Sequence, residues 1–243
     1  MIHFSKAKTW FSSLSDNDIR SIARQIDTEG FFCASDFLSE HELQHLQTFV
    51  LGTIRDAGNR TVSLGKSEAS LTGLNEFSGS PEFTDFIGRL HTAAYGPAPS
   101  DLACHQVLRC LTGDSASAHS WMFHYDSYLI TALVPIEVPA TGLRGDFLLI
   151  PNRRQKRSSY LINLIDKVLL DNALTQRRLR GRLSDEKFVK RVPLTPGSIY
   201  LFWGYRSIHT NEGVDQDAIR ATALFHFVDP HANSILKRKL GRA

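Results

Sequence analysis

Three residues of this 243-residue chain combine the chemistry and the spacing needed to hold a metal ion: His124, Asp126 and His209. His124-Tyr125-Asp126 falls in a β-type run, and residues two apart on a strand project from one face, setting an imidazole beside a carboxylate. His209 stands at the end of another such stretch, Ile199–Trp203 followed by Gly204-Tyr205-Arg206-Ser207-Ile208. Two imidazoles and one carboxylate on one face of an octahedron leave three positions open, the donor set associated with non-haem Fe(II) oxygenases. A lone His-x-Asp is a frequent accident. Arg220, eleven residues past His209, changes the odds, because Thr222 follows it at strand spacing. Along Ile219–Val228 the face bearing Arg220, Thr222, Leu224, His226 and Val228 is polar, while Ile219, Ala221, Ala223, Phe225 and Phe227 form an apolar second face. An inward arginine requires an anion. A dicarboxylate supplies one, clamped bidentately by the guanidinium with a hydroxyl hydrogen bond from the threonine.

Other polar residues near these positions carry weaker signals. Alternation puts Gln106 on the opposite face from His105 and Arg109, without saying which face is inward. His119 lies in a small, polar Ala-Ser-Ala-His-Ser stretch that reads as a surface loop. His226 is either a satisfied core histidine or a group behind the ligands. Trp121, Tyr125, Tyr128, Trp203 and Tyr205 could wall a pocket, though aromatics in β-runs are usually core.

With these residues in view, the chain resembles the Fe(II)- and 2-oxoglutarate-dependent dioxygenases, and among them the phytanoyl-CoA hydroxylase branch. The matching elements are His124-x-Asp126, His209 with Asn211 after it, Arg220-x-Thr222, and Pro196-Gly197-Ser198 leading into the strand before the second histidine. Asp27-Thr28-Glu29-Gly30-Phe31 and Phe37-Leu38-Ser39-Glu40-His41-Glu42-Leu43 resemble that branch's opening strand and helix. The resemblance implies a double-stranded β-helix in which His124, Asp126 and His209 bind and use Fe(II), and Arg220 with Thr222 hold the distal carboxylate of 2-oxoglutarate. It further implies that dioxygen and 2-oxoglutarate are consumed, giving carbon dioxide and succinate, and that an unactivated substrate carbon is hydroxylated. Halogenating relatives replace the carboxylate ligand by a small residue; Asp126 favours hydroxylation. Base-repairing relatives carry a second arginine six residues after the first, where this chain has His226, so nucleic acid is not favoured.

The elements that must position these residues are legible in outline. Ser15-Asp16-Asn17-Asp18 can cap a helix with apolar Ile19, Ile22, Ala23 and Ile26, and Ser39-Glu40-His41-Glu42 has capping-box form ahead of Leu43, Leu46 and Val50. Phe31-Phe32-Cys33 suggests a first strand, 59–80 a loop, and 82–94 another helix. From Leu102 on, Cys104–Leu111, Trp121–Ile136, Gly145–Ile150, Ser198–Trp203 and Ile219–Val228 read as strands without βαβ alternation. The expectation is a mainly β jelly roll with N-terminal helices: one domain over 1–243, a mostly helical 1–100, a β-helix core over 102–228, and a basic, partly helical insertion at 153–191.

At 42% apolar and 22% charged residues the chain is not of a disordered type. Its longest uncharged apolar stretch, 127–136, is about half a bilayer span. The first residues lack a signal-peptide layout, and three cysteines (Cys33, Cys104, Cys110) without Cys-x-x-Cys spacing suggest neither a disulfide framework nor a zinc site. A cytoplasmic location is expected. The net charge of +3 is uneven: residues 153–191 hold twelve Lys or Arg against four acids, an excess of +8. Solvated decoration is one reading of that block. Another is an anionic substrate or peripheral membrane contact through Arg177, Arg178, Arg180 and Arg182 beside the apolar 160–170 helix. The substrate is thus expected to be a small or lipid-linked metabolite with anionic character. Two rivals remain: a non-catalytic β-helix that binds a ligand, and a cupin-type divalent-metal hydrolase or isomerase, which has no use for an inward anion clamp.

Overall fold

Both capping boxes form. In the computed structural model, which describes residues 2–113, 116 and 120–240, Ser15 and Asp18 exchange side-chain to backbone bonds at the start of α2 (Asp16–Glu29), and Ser39 and Glu42 do so at α3 (Glu40–Asp56). With α1 (Ser5–Ser13), α4 (Leu74–Ser78) and α5 (Pro81–Tyr95) they form a helical layer. Gly30 ends α2 at φ 93°, a left-handed turn where any Cβ would press on Pro151, so the chain reverses directly into β1 (Phe31–Ala34).

The helices cover one face of a six-stranded antiparallel sheet, ordered β1, β7 (Ile199–Phe202), β4 (Ile130–Glu137), β9 (Arg220–Phe227), β3 (Cys104–Leu111), β2 (Val62–Leu64). The apolar face read from β9 packs here: Ala221, Ala223, Phe225 and Phe227 join Phe77, Phe83, Ile130, Ala132 and Leu201 in the largest core cluster. A second sheet, ordered β6 (Lys190–Val192), β5 (Phe147–Ile150), β8 (Ile208–Asn211), faces the other side. Leu133, Phe147, Leu149, Tyr200 and Phe202 fill the space between the sheets. Because β5 alternates, Leu148 and Ile150 point outward and are covered by Leu170, Leu179 and Val189 of the insertion. Four layers result: helices, large sheet, small sheet, insertion.

The insertion contains α6 (Tyr160–Asp171) and α7 (Ala173–Arg180). Arg154 anchors it. This buried guanidinium donates to the Tyr205 carbonyl at 2.7 Å, to Asp166 at 2.9 Å and to Asn163 at 2.9 Å, and is stacked between the rings of Tyr125 and Tyr205. Burial opposes the charge of Asp166, but hydrogen bonds from Arg157 and Arg154 outweigh it and lower its pKa. Its contribution to stability is therefore present above the ordinary carboxylate pKa and lost as pH falls through the depressed value. Arg154→Ala should cost about 3 kcal/mol locally. The measurement is amide exchange: residues 160–171 should lose protection while β7 and β9 keep theirs, and uniform loss across the chain would refute a local anchor.

Four sequence readings need correction. Trp121–Ile136 is not one strand: Trp121 has a left-handed backbone (φ 63°), 121–129 is irregular apart from a single bridge, His124 to His209, and β4 begins only at Ile130. His209 does not extend β7; residues 204–207 turn, with Arg206 and Ser207 amides bonded to the Trp203 carbonyl, and β8 starts in the other sheet. Residues 59–80 contain β2, a 3-10 turn (Ser70–Thr72) and α4 rather than only loop. Val228, expected on the polar face, has φ 62° and packs in the helix-side core.

Candidate metal centre

His124, Asp126 and His209 converge, as the spacing suggested, although not by sitting on one strand. Their ligand atoms all lie within 4.8 Å of one another. The bridge between His124 and His209, with paired amide–carbonyl bonds of 3.0 Å, brings the two imidazoles together, and the Asp126 amide bonds to the Gly204 carbonyl at 3.0 Å. Asp126 Oδ1 lies 3.8 Å from His124 Nε2 and 3.4 Å from His209 Nε2. Each ligand imidazole has its Nδ1 on a backbone carbonyl, His124 on Met122 at 2.9 Å and His209 on Ser207 at 3.1 Å. Donation from Nδ1–H fixes the tautomer and leaves both Nε2 lone pairs free for a metal, the orientation such centres require.

The electrostatics favour the ligating protonation states. Burial raises the pKa of Asp126, but His209, His226 and their hydrogen bonds outweigh it, so the carboxyl lies well below its ordinary value. His124 is drawn down to about 4 by the protein packed around it and by His209. Water offsets part of that shift, because 47% of its side chain is exposed. At neutral pH the set is one carboxylate and a neutral His124.

Two residues that hold Asp126 were not singled out from the sequence. The Thr131 hydroxyl donates to Asp126 Oδ2 at 2.6 Å and lies 3.1 Å from His226 Nδ1. Thr131 is the one polar side chain in Leu129–Ile136, and a hydroxyl in an apolar run was the available signal. Gly204 leaves room for both groups, since a Cβ there would collide with Asp126 Oδ2 and Thr131 Oγ1. Thr131→Val, nearly isosteric, should lower metal affinity about 10–100-fold while the fold persists. Metal titration checks this, and unchanged affinity would show that Thr131 does not hold the carboxylate in place.

The cavity beside the triad, about 120 Å³, is lined by Arg109, Thr131, Phe147, Phe202, Arg220 and Thr222 together with the three ligand residues. Arg220 is 4% exposed, and its Nε, the Nε of Arg109 and the Thr222 hydroxyl have no hydrogen-bond partner among the described residues. Burial and the nearby Arg109 pull the Arg220 pKa down to about 10, which still leaves it charged at neutral pH. Gly145, at φ 71°, makes way for the Arg220 stem. Arg109 lies directly opposite Thr222 in the β3–β9 register. Two charged guanidiniums and an unpaired hydroxyl around one cavity form a receptor for a small anion.

The remaining candidates separate by face. His105 and His226 share the cavity side and stack with Tyr128, His105 and Tyr128 being 5.5 Å apart at 4°. Gln106 points to the helices and donates to Asn75 at 3.2 Å. Trp203 and Tyr205 are core. His119 lies outside the described residues. Arg177, Arg178, Arg180 and Arg182 are exposed on and after α7 and are not among the cavity-lining residues; Arg182 pairs with Asp185 at 2.8 Å.

No family model matches this chain, and no curated protein does. Solved structures match over nearly its whole length. A prolyl hydroxylase from Trichoplax adhaerens, in complex with a hypoxia inducible factor oxygen degradation domain peptide fragment, aligns with TM-score 0.59 at 15% identity, covering 91% of this chain and 94% of its own. A prolyl 4-hydroxylase from Phytophthora capsici gives 0.58 at 14% identity, covering 97% and 70%. The epimerase SnoN, in complex with Fe3+, alpha ketoglutarate and nogalamycin RO, gives 0.57 at 13% identity, covering 88% and 85%. At such identities the likeness establishes the fold: an antiparallel, β-rich double-stranded β-helix with helices, of the kind found in 2-oxoglutarate/Fe(II) oxygenases. Within it, His124, Asp126 and His209 form a two-histidine, one-carboxylate cluster.

Proposed function

We propose that the chain is an Fe(II)- and 2-oxoglutarate-dependent dioxygenase that hydroxylates an unactivated carbon of a small or lipid-linked metabolite with anionic character. The observation that carries this reading is the buried Arg220, whose Nε has no hydrogen-bond partner among the described residues and which faces the same cavity as the triad. A cupin-type hydrolase has no need of such a group, and a purely structural arginine would have a partner.

His124, Asp126 and His209 would hold the iron, which when bound supplies the means to reduce dioxygen at the expense of 2-oxoglutarate and to oxidise a neighbouring C–H bond. The protein's own work is positioning. Backbone carbonyls of Met122 and Ser207 fix the imidazole tautomers; Thr131 and Gly204 fix the carboxylate. Arg220 and Thr222 take the distal carboxylate of 2-oxoglutarate, and Arg109 adds positive potential on the same side. Phe147 and Phe202 pack against His209 and keep that side dry.

The placement in the phytanoyl-CoA hydroxylase branch rests on the sequence motifs alone. The surface position of Arg177, Arg178, Arg180 and Arg182 fits contact with an anionic head group or membrane surface better than contact with the carbon being oxidised. Incubation of the Fe(II)-loaded protein with a metabolite panel and isotopically labelled dioxygen tests the reaction type. Hydroxylation requires one labelled oxygen in the product; an epimerised, cyclised or desaturated product without label would exclude it.

A further inference from the structure

α6 leaves a broad apolar stripe uncovered. A surface helix ordinarily buries its apolar stripe and exposes its polar one, but here the inward side mixes Tyr160 and Leu170 with polar groups while most of the large aliphatic side chains face out. Asn163 is buried against Arg154, Asp166 pairs with Arg154 and Arg157, and the half-buried Lys167 donates to Ser127 at 2.8 Å, beside ligand residue Asp126. The outward side carries Leu161, Ile162, Ile165, Val168 and Leu169, which are 43–63% exposed. These five fall within about a third of the helical circumference, at i, i+1, i+4, i+7 and i+8. Leu174 at the start of α7 is 66% exposed, and α8 (Ile235–Lys239), which touches α6, adds exposed Ile235 and Leu236.

Charge decides what covers this face. Exposed cations stand on the segments adjoining it: Lys156 before α6, Arg177, Arg178 and Arg180 on α7, and Arg238 and Lys239 on α8, against Asp171 as the exposed acid of α6. In a symmetric dimer built on this face, the patch would meet its own copy, so a rim rich in cations would face a rim rich in cations. An apolar stripe rimmed by Lys and Arg instead matches the boundary of an anionic bilayer, where acyl chains accept the apolar side chains and head groups the cations.

The geometry points to α6, with α7 and α8, as a docking face that seats the protein on anionic lipid. The seat lies on the insertion that Arg154 and Lys167 tie to the loop of Tyr125 and Ser127, next to the metal centre. This extends the lipid-linked part of the proposed function but not its redox chemistry, so the two fail separately.

The test is co-sedimentation of the full chain with phosphatidylcholine vesicles with and without phosphatidylglycerol, alongside sedimentation velocity without lipid. The native protein should bind the phosphatidylglycerol vesicles, and more weakly as salt rises. The triple variant Leu161→Ser/Ile165→Ser/Leu169→Ser should bind at least about 100-fold more weakly, given what burial of one large aliphatic side chain contributes. Arg177→Gln/Arg178→Gln/Arg180→Gln/Arg182→Gln should lose the preference for phosphatidylglycerol. Circular dichroism and Fe(II) binding should be retained by both, since all these positions are exposed. Three results would overturn the proposal: no binding of native protein to anionic vesicles, equal binding by the triple variant, or a dimer that the triple variant abolishes while vesicles are ignored. Vesicle binding by a protein inactive toward 2-oxoglutarate would leave it intact and remove the redox reading instead.

Discussion

His124→Ala should reduce Fe(II) affinity by more than about 100-fold, beyond what loss of an outer partner costs, because it removes one of three ligands and two cannot hold Fe(II) against water. The fold should be untouched. His124 is exposed along much of its side chain, so truncation leaves no enclosed void. His209→Ala should abolish binding too, but His209 is buried, packed against Phe147 and Phe202 at 5.8 and 4.9 Å between ring centroids, and its loss should also lower thermal stability. The pair separates ligation from packing. Metal content after anaerobic loading, with circular dichroism alongside, reads both; full iron occupancy in either variant would overturn the ligand assignment.

Arg220→Ala should act in the opposite sense on affinity and on stability. In complex, truncating one member of a buried charge pair costs about 2–5 kcal/mol, so affinity for 2-oxoglutarate should fall by roughly 30-fold or more. Without co-substrate, however, Arg220 is a buried cation beside a second cation, Arg109; burial and Arg109 outweigh the attraction of Asp146, and its Nε has no hydrogen-bond partner among the described residues. Removing it relieves desolvation and like-charge repulsion. The unliganded variant should therefore melt no lower than the native protein, while the rise in melting temperature that 2-oxoglutarate gives by mass action should vanish. Calorimetric titration and melting curves measure the two effects. A variant that melts much lower yet binds 2-oxoglutarate normally would make Arg220 structural and move the clamp to Arg109.

The parts of this architecture that were legible are the local ones. Ser39 and Glu42 are three residues apart, and the two faces of β9 alternate within eight residues, so capping and inside-outside assignment follow from the chain itself. His124, Asp126, His209, Arg220 and Thr222 stood out by residue type and spacing. Thr131 and Gly204 did not, because their importance comes from a carboxylate that reaches them only in the folded state. The aromatic run 121–129 has strand-forming composition, but its register is broken by a left-handed Trp121, which no propensity encodes. The basic count of 153–191 was visible while its partners were not. Arg191 pairs with Glu212 and Lys190 with Glu29, both distant in sequence. Periodicity likewise marked α6 as amphipathic but could not say that Asn163 and Lys167 turn inward, toward Arg154 and Ser127, while Leu161, Ile165 and Leu169 stay exposed.

The central claim is that one cavity unites an iron centre with a 2-oxoglutarate clamp. Its most direct test is conversion of 2-oxoglutarate to succinate and carbon dioxide by the purified chain, followed with Fe(II) and dioxygen present and with each withheld in turn. The account predicts succinate formation, even if slow and uncoupled from any substrate, that requires both and is lost in His124→Ala and Arg220→Ala. Native protein that binds Fe(II) and 2-oxoglutarate but forms no succinate with any metabolite supplied, or succinate formed equally well by both variants, would contradict it.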